Sequence, residues 1–347
     1  MAEPKWGIIG CGNIARFHFS ALRKAGAPIV HIADLRPDAA CAYVETCGAR
    51  FSTSYEGLLA DPEVTVVDVL TDSAYHYPIV RAALQADKDV VCEKTMMDSA
   101  EEATTVARAV AASDRLFFTA YMKRFFPAVQ QARALLPKLG RLFSAQVRVY
   151  QAWGNYYEAE PGNPPGWIVS KYGGAVLKCA ASHMLDMMMC LLGRPARLFA
   201  HVDYIPESRF DRKATALFEY PSGLAVSFEA ATHPLKRIGY ERNSWDEAIQ
   251  INGVNGRLDL AFPRWDQPEC NAPLLVHYDN ETEAATEYRA APVNPFDVEL
   301  AYFHDCLARR EQGHPDAADG FAVDLLIEMM VESHRQRASI ELDWRGL

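Results

Sequence analysis

Positive charge is scarce in this sequence. Its 347 residues include 35 Lys and Arg against 45 Asp and Glu, which gives a formal net charge of −10 at pH 7. No run of basic residues offsets this excess, so the composition argues against a surface that binds nucleic acid. Half of the residues are hydrophobic, and a chain of this length can bury a large core and is expected to divide into two domains.

Long apolar runs and paired cysteines are also missing. The longest uninterrupted apolar stretches, such as 187–192, are far too short to cross a bilayer, and the chain enters its first predicted strand without a signal region. The cysteines show no zinc-like spacing, and several lie in apolar segments where a thiol acts as a small hydrophobe. These absences predict a cytoplasmic protein with eight reduced thiols: Cys11, Cys41, Cys47, Cys92, Cys179, Cys190, Cys270 and Cys306.

A glycine-rich turn stands close to the start of the chain. Gly7–Ile9 is typical of the end of a buried strand, and Gly10-x-Gly12-x-x-Ala15 follows it and opens an amphipathic run. Gly10 permits a tight turn, Gly12 lets the backbone approach a pyrophosphate, and Ala15 keeps helix and strand close. Asp34 ends the next apolar strand, where an acid reaches the ribose hydroxyls. The pattern predicts a dinucleotide site; the alternative is a glycine-rich turn in some other α/β protein.

Strands and helices alternate through the first third of the sequence. Helices are predicted at 14–25, 37–47, 54–60, 75–86 and 99–113, and strands at 28–33, 49–51, 64–70, 89–92 and 116–120. Repeated βα units predict a doubly wound parallel sheet, a Rossmann domain over 1–123, with ligands at the carboxyl ends of the strands. The predicted cofactor contacts lie past those ends: Gly10, Cys11, Gly12, Asn13, Ile14, Asp34, Leu35, Arg36, Thr71, Asp72, His76, Glu93, Lys94 and Met122.

The predicted cofactor is NAD rather than NADP. Asp34 would repel a ribose 2′-phosphate while it accepts hydrogen bonds from the free diol. Arg36, two residues further on, argues the other way, because an arginine at this point can accommodate that phosphate.

The pattern changes after about residue 124. Helices are predicted at 127–136, 174–192, 295–311 and 319–336, with a loop rich in Pro, Gly and Trp at 153–167. Alternating strands are predicted at 142–150, 198–204, 214–220, 224–231, 247–252, 257–261 and 274–278. Alternation predicts a large, mostly antiparallel sheet with one open face. We assign 124–347 to a substrate-binding and oligomerisation domain, and the sequence shows no repeat, low-complexity segment or long flexible linker.

Two further motifs resemble those of a known protein family. Glu93-Lys94 follows the apolar strand Val90–Cys92, and Ser182-His183-Met184-Leu185-Asp186 follows Gly173-Gly174. Together with the opening glycines they resemble the glucose–fructose oxidoreductase and inositol dehydrogenase (Gfo/Idh/MocA) family, and the similarity extends over nearly the whole chain. The resemblance implies an N-terminal Rossmann domain and a C-terminal α/β domain with a large, mostly antiparallel sheet. It also implies oxidation or reduction of a secondary alcohol on a sugar or cyclitol with a bound nicotinamide.

The sequence departs from the family pattern at four positions. Thr95 stands where the family usually has proline after Glu-Lys, and Asp72 stands where it often has proline after threonine. Ala175 replaces a third glycine, and Cys179 replaces an aspartate four residues before the histidine. A thiol is a poor hydrogen-bond acceptor and cannot do a carboxylate's orienting work. With Thr95 in place of proline, the Lys94–Thr95 peptide bond is predicted to be trans.

Lys94 and His183 are the candidate catalytic residues. Hydride transfer from a carbinol carbon needs the hydroxyl proton removed, and Lys94 lies beyond a strand end where the nicotinamide is expected. His183 can share one helix face with Cys179 and Asp186, and an acid there could fix the imidazole tautomer. The competing interpretations are a surface lysine in a turn and a core histidine. A metal shared by these three helix residues is geometrically possible, but no other Cys/His cluster supports it, so no metal is predicted.

The predicted substrate contacts come from both parts of the chain. Tyr121, Lys123 and Arg124 follow a strand end, although Arg124 could equally form an ion pair between domains. The aromatic residues of the long loop could stack on sugar C–H surfaces or serve as packing anchors. The predicted set is Tyr121, Arg124, Trp153, Tyr157, Trp167, Cys179 and Asp186.

The leading hypothesis is a nicotinamide-dependent oxidoreductase that acts on a sugar, sugar derivative or cyclitol. One alternative keeps NAD bound and recycles it during elimination or bond cleavage, and another is a cofactor-binding regulator without catalysis, which the missing aspartate favours. The expected partners are a small carbohydrate or cyclitol, with no nucleic acid and no membrane. A homodimer or homotetramer is predicted through the open sheet face, whose apolar side chains would otherwise meet water.

Overall fold

The computed structural model describes residues 3–154, 156–158, 176–267 and 272–344. They form two compact units. The first contains the chain up to Met122 together with Asn294–Leu325, and the second contains the described parts of Lys123–Val293 and Leu326–Arg345. The sequence analysis divided the chain into 1–123 and 124–347; in the structure, 294–325 packs with the first unit.

The first unit is built on a six-stranded parallel sheet. Its strands are β1 (Trp6–Ile9), β2 (Ile29–Ala33), β3 (Arg50–Ser52), β4 (Val66–Val69), β5 (Asp89–Glu93) and β6 (Phe117–Ala120). The order β3-β2-β1-β4-β5-β6 is that of dinucleotide-binding Rossmann folds, which confirms the prediction. The last residues of neighbouring strands align, since Ile9 pairs with both Ala33 and Val69. The loops that follow the strands therefore emerge at one edge.

Five helices connect these strands: α1 (Ala15–Lys24), α2 (Pro37–Cys47), α3 (Tyr55–Leu59), α4 (His76–Gln85) and α5 (Ala100–Ala111). Their ends follow from local chemistry. Ser99 caps α5 by accepting a hydrogen bond from the Glu102 amide at 3.3 Å, and Pro37 occupies the first turn of α2. Gly48 ends α2 at φ 68°, the left-handed conformation that glycine adopts without strain.

The second unit contains a nine-stranded sheet and two helical segments. Its strands are β7 (Leu142–Gln151), β8 (Arg197–Tyr204), β9 (Asp211–Glu219), β10 (Ala225–Thr232), β11 (Trp245–Gly253), β12 (Gly256–Phe262), β13 (Leu274–Asp279), β14 (Ala284–Arg289) and β15 (Ile340–Glu341). The order is β14-β13-β12-β11-β7-β10-β9-β8-β15, and every pair is antiparallel except β7 with β10. The helices are α6 (Pro127–Leu135) and α7 (Ser182–Leu192), the latter preceded by a π-helical turn, Val176–Ala181.

The uncovered face of this sheet is polar, and the expectation of an apolar face was wrong. Alternation buries Val147 and Val149 on one side of β7, as predicted, and turns Arg148 to the other. Arg148 pairs there with Asp246 at 2.7 Å. Other cross-strand pairs of opposite charge stand on the same face, so its side chains satisfy each other or water. Phe199 and Leu217, which face each other across β8 and β9, are exceptions at 47% and 43% exposure.

Two helices, α8 (Pro295–Arg309) and α9 (Ala317–Gln336), close the chain. Helix α8 packs on α1 in the first unit, where the rings of Phe296 and Phe17 stack with centroids 4.9 Å apart. Phe303 stacks in the same way on Phe118 of β6 at 4.6 Å. These aromatic contacts explain why α8 belongs to the first unit, whereas α9 is divided between the two units after Leu325. No helix within the described residues combines the length and apolarity that crossing a membrane requires.

Candidate functional site

The carboxyl edge of the parallel sheet begins with the glycine turn. Gly10 adopts φ +99°, and a Cβ atom there would lie 3.0 Å from the Leu70 carbonyl carbon, so both conformation and space require glycine. The Gly10 amide donates to the Ala33 carbonyl at 2.8 Å, which fixes the turn to β2. A Cβ atom on Gly12 would meet nothing within 4 Å. The backbone at Gly12 therefore faces open space at the entrance to α1.

Asp34 is locked beside this turn by two backbone amides. Its Oδ2 accepts a hydrogen bond from Cys11 at 2.7 Å and its Oδ1 accepts one from Arg36 at 2.8 Å. Each carboxylate oxygen can accept a further hydrogen bond. Burial, with the nearby Asp34 charge, raises the pKa of Cys11 to about 12, so this thiol stays neutral. The side chains of Arg36 and Leu35 are largely exposed, at 67% for Arg36 and 86% for Leu35.

These residues fit a dinucleotide. Gly12 leaves room for a pyrophosphate at the helix N-terminus, and Asp34 presents a fixed acid one strand away. The buried Thr71 hydroxyl after β4 has no hydrogen-bond partner among the described residues, so it is available to a ligand. Asp72, Asn13 and Ile14, also predicted as cofactor contacts, are exposed or half-buried at the same edge.

Lys94 follows β5 at this edge, in a turn held by its neighbours. Glu93 is buried at the strand end, and its Oε2 accepts the Lys94 amide at 2.8 Å. The Lys94–Thr95 peptide bond is cis, so the predicted trans bond was wrong; the prediction weighed only the preference of an isolated peptide bond. Lys94 itself is half-buried, and the Thr95 hydroxyl is buried without a hydrogen-bond partner in the described part of the chain.

His76 contacts the Lys94 turn from the interior of the unit. Its side chain is fully buried, which differs from the predicted cofactor contact. Its Nδ1 lies 3.0 Å from the Thr95 carbonyl and its Nε2 lies 3.0 Å from the Thr71 carbonyl. Burial lowers the pKa of His76. The ring lies between the loops after β4 and β5 and contacts a backbone carbonyl in each.

A buried cluster that the sequence analysis missed lies beneath the Lys94 turn. His18 of α1 is fully buried between Asp68 of β4, whose Oδ2 is 3.0 Å from Nδ1, and Glu93, whose Oε1 is 3.1 Å from Nε2. Burial alone would lower the pKa of His18, but the two carboxylates outweigh it and hold the pKa well above its ordinary value. The available signal was Asp68, a charged residue inside an otherwise apolar strand.

The second unit carries the other predicted catalytic residue. His183 stands in the first turn of α7, and Cys179 lies in the preceding π-helical turn. Both are half-buried. A π-helical turn inside a helix is frequent at functional sites, because it redirects the side chains around it. His183 belongs to the second compact unit and Lys94 to the first.

Arg124 and Asp186 form a buried ion pair within the second unit. Asp186 is fully buried, and its two oxygens accept from Arg124 Nη2 at 2.5 Å and Nε at 2.9 Å. This bidentate geometry joins α7 to the segment after β6. The two residues were predicted as substrate contacts, with an ion pair between domains as the alternative for Arg124; the observed pair lies within the second unit. It holds α7 to the segment after β6.

Lys123 makes a second buried ion pair. Its ammonium donates to Glu247 of β11, Gln151 donates to the other Glu247 oxygen at 2.7 Å, and the Phe262 ring lies 4.9 Å from the ammonium. All of these side chains are buried. Lys123 is therefore a structural cation rather than the ligand contact that its position after β6 suggested.

The predicted aromatic contacts have different environments. Tyr121 is fully buried in the first unit. In the second, Tyr157 is 42% exposed with the Arg212 guanidinium 5.0 Å over its ring, and Trp153 is half-buried. Tyr156 packs on Phe210 with centroids 5.0 Å apart, which is the packing-anchor role. Trp167 lies outside the described residues. Met122, predicted beside the cofactor, is buried at the end of the first unit.

A Rossmann sheet whose edge carries a glycine turn, an acid fixed after β2 and a lysine after β5 is typical of nicotinamide-dependent oxidoreductases. Comparison with known proteins narrows the class. Residues 4–121 match the oxidoreductase family with an NAD-binding Rossmann fold, and residues 129–259 match the GFO/IDH/MocA C-terminal domain. The chain belongs to the Gfo/Idh/MocA family, as the sequence motifs indicated.

Similar proteins align over nearly the full length. Levoglucosan dehydrogenase of Pseudarthrobacter phenanthrenivorans is 23% identical over 97% of both chains. Inositol 2-dehydrogenase of Agrobacterium fabrum is 25% identical over 97% of this chain and 96% of its own. 1,5-Anhydro-D-fructose reductase of Ensifer adhaerens is 25% identical over 91% and 92%. The solved complex of a levoglucosan dehydrogenase with NADH and levoglucosan shares the fold, with TM-score 0.84 and 21% identity over 99% of this chain and 100% of that one.

Proposed function

We propose that the protein oxidises or reduces a secondary alcohol of a sugar, sugar derivative or cyclitol with NAD. The observation that carries the proposal is the position of Lys94 at the same sheet edge as the Gly10 turn and Asp34. The names of the relatives support the substrate class, because levoglucosan, an anhydrofructose and inositol all offer secondary alcohols.

Each residue has a defined task in this proposal. Bound NAD would supply the hydride acceptor or donor. Gly10 and Gly12 would admit its pyrophosphate, and Asp34 would accept hydrogen bonds from its ribose hydroxyls. Lys94 takes the hydroxyl proton during oxidation and returns it during reduction. His183 is assigned the second acid/base role, or a hydrogen bond that orients the substrate hydroxyl.

A screen of polyols and sugars with NAD, followed by absorbance of the reduced nicotinamide, tests the proposal. An increase that depends on both protein and sugar supports it. Product formation without net absorbance change would indicate the alternative that recycles bound NAD. Cofactor binding without turnover of any compound would favour the regulatory alternative.

We expect NAD to bind at least about tenfold more tightly than NADP, because the fixed Asp34 carboxylate repels a 2′-phosphate. Fluorescence titration with the two reduced cofactors measures the difference. Asp34→Ser should remove most of the preference, whereas the control Asp38→Ser, an exposed acid in the first turn of α2, should keep it. Tighter binding of NADP by the native protein would show that Arg36 dominates.

Cys179→Ser is expected to keep at least a tenth of native turnover. We assign Lys94 and His183 as a sufficient acid/base pair, with Cys179 shaping the substrate pocket. A chelator should have no effect, because Lys94 and His183 require no metal in this scheme. Cys190→Ser, on the same helix, is the matched control. Loss of activity in Cys179→Ser would assign a catalytic role to the thiol, and loss with the chelator would assign one to a metal ion.

We also propose that the protein is a homodimer or homotetramer associated through the uncovered face of the nine-stranded sheet. The pairs of opposite charge on this face, with Phe199 and Leu217 among them, can complement a second copy about a twofold axis. Light scattering at micromolar concentration should give a multiple of the 38.7 kDa chain mass. A mass equal to one chain would refute the assignment.

A further inference from the structure

The Lys94 turn is anchored by buried polar groups from three directions. Glu93 accepts the Lys94 amide at 2.8 Å, His76 contacts the Thr95 carbonyl at 3.0 Å, and Asp324 accepts the Met97 amide at 2.8 Å. Asp324 comes from α9 in the same unit. Glu93 is therefore the anchor closest to Lys94, and its own orientation depends on what holds it.

What holds Glu93 is the ring of His18. The Nε2 atom lies 3.1 Å from Glu93 Oε1, and the Nδ1 atom lies 3.0 Å from Asp68 Oδ2. A carboxylate can only accept a hydrogen bond, so both ring nitrogens must carry a proton to donate in both directions. A neutral imidazole would point a lone pair at one carboxylate in a site without water-exposed surface. With both carboxylates ionised, the ring is an imidazolium, and the raised pKa of His18 supports this state.

The remaining groups around His18 do not replace these contacts. Helix α8 places the Phe296 ring against it, with centroids 5.9 Å apart, and carries the buried carboxylate of Glu299 one turn further on. Among the described residues, the Asp68 carboxylate makes its side-chain contacts with the His18 ring.

We propose that His18 is a positioning residue: held by Asp68, its ring fixes the Glu93 carboxylate and thereby the backbone of Lys94. The inference rests on the proposed role of Lys94 as the group that handles the substrate proton. In this proposal, a buried series of contacts from α1, through β4 and β5, determines the position of the Lys94 side chain. Small displacements of a catalytic group can reduce turnover by about 100-fold, so such a series has a functional consequence.

Two measurements test the proposal without substrate or cofactor. In protein labelled with 15N-histidine, NMR should show one ring with both nitrogens protonated and no titration near the ordinary histidine value of about 6.5. In His18→Gln/Asp68→Asn, which removes both charges and keeps polar groups, amide exchange over 93–97 should accelerate about tenfold, the factor expected for loss of one hydrogen bond. The control His31→Gln/Asp61→Asn alters another buried pair, 2.8 Å apart, and should leave exchange over 93–97 unchanged.

The turnover of the same variants gives the third measurement. The His18/Asp68 variant should lose about 10- to 100-fold in kcat with KM and NAD affinity within about threefold, while the control retains kcat. If the double variant does not fold, Asp68→Asn alone provides the exchange test. A ring that titrates near pH 6.5, or unchanged exchange and kcat in a folded variant, would overturn the proposal. Native protein that turns over no sugar would refute the proposed function, and the NMR and exchange results would still decide the role of His18.

Discussion

Replacing Lys94 by alanine is expected to reduce kcat by about 100- to 10,000-fold, the range over which a general acid or base contributes. Binding of NAD should change by no more than about threefold, because the Gly10 turn and Asp34 are separate from the lysine side chain. Steady-state kinetics with a sugar identified by the screen, and fluorescence titration of NADH, measure the two effects.

Lys94→Arg distinguishes a role of Lys94 in proton transfer from a role of its positive charge, and Lys24→Ala is the control. Lys94→Arg keeps a cation but cannot release its proton near neutral pH, so it should be nearly as inactive as the alanine variant. Lys24→Ala removes an exposed lysine of α1 that pairs with Asp297 at 2.7 Å, and it should retain native kinetics. Substantial activity in Lys94→Ala would remove the base assignment, and activity in Lys94→Arg alone would make the lysine an electrostatic group.

Replacing Lys123 by methionine should lower the free energy of unfolding by about 3–5 kcal/mol, the usual effect of breaking a buried ion pair. The cost arises because Glu247 stays buried and, among the described residues, keeps Gln151 as its side-chain donor. Urea denaturation followed by circular dichroism measures it. The double variant Lys123→Met/Glu247→Leu should recover most of the loss, because it leaves no uncompensated charge.

An exposed pair in the same sheet is the control for this experiment. Arg289 and Glu287 are 2.8 Å apart on β14 with 60% and 53% of their side chains exposed. Arg289→Met should leave the unfolding transition unchanged, since solvent screens such pairs. Equal effects of Lys123→Met and Arg289→Met would show that burial of the Lys123 pair has no energetic consequence.

The sequence predicted the elements that bury continuous or alternating apolar residues. Strands β1 to β13 and all nine helices described here were located within a few residues, because these elements have a clear period. Strand β14 was missed because Ala284–Arg289 is almost wholly exposed and carries no apolar alternation. Strand β15 was missed because its two residues are too few to show a pattern. The parallel pairing of β7 with β10 depends on topology, which local periodicity does not contain.

The sequence predicted the site residues whose role depends on backbone shape. It did not predict those whose role depends on a charged partner elsewhere in the chain. Gly10 and Asp34 could be located because a tight turn and a fixed spacing leave a signature in the sequence. The roles of His18 and Lys123 could not, since each is decided by a carboxylate that lies far away in the chain. Buried ionisable side chains acquire their role from tertiary partners, and a single sequence does not name those partners.

The discontinuity of the first unit has a consequence for synthesis of the protein. Phe17 and Phe118 find their stacking partners, Phe296 and Phe303, only after the second unit's sheet has been translated. At 5–20 residues per second, roughly 10–40 seconds pass between the synthesis of β6 and that of α8. During this time the rings of Phe17 and Phe118 lack their stacking partners. During that interval the emerging chain is exposed to aggregation, and chaperones that shield apolar surfaces on the ribosome would act on it before the last two helices arrive.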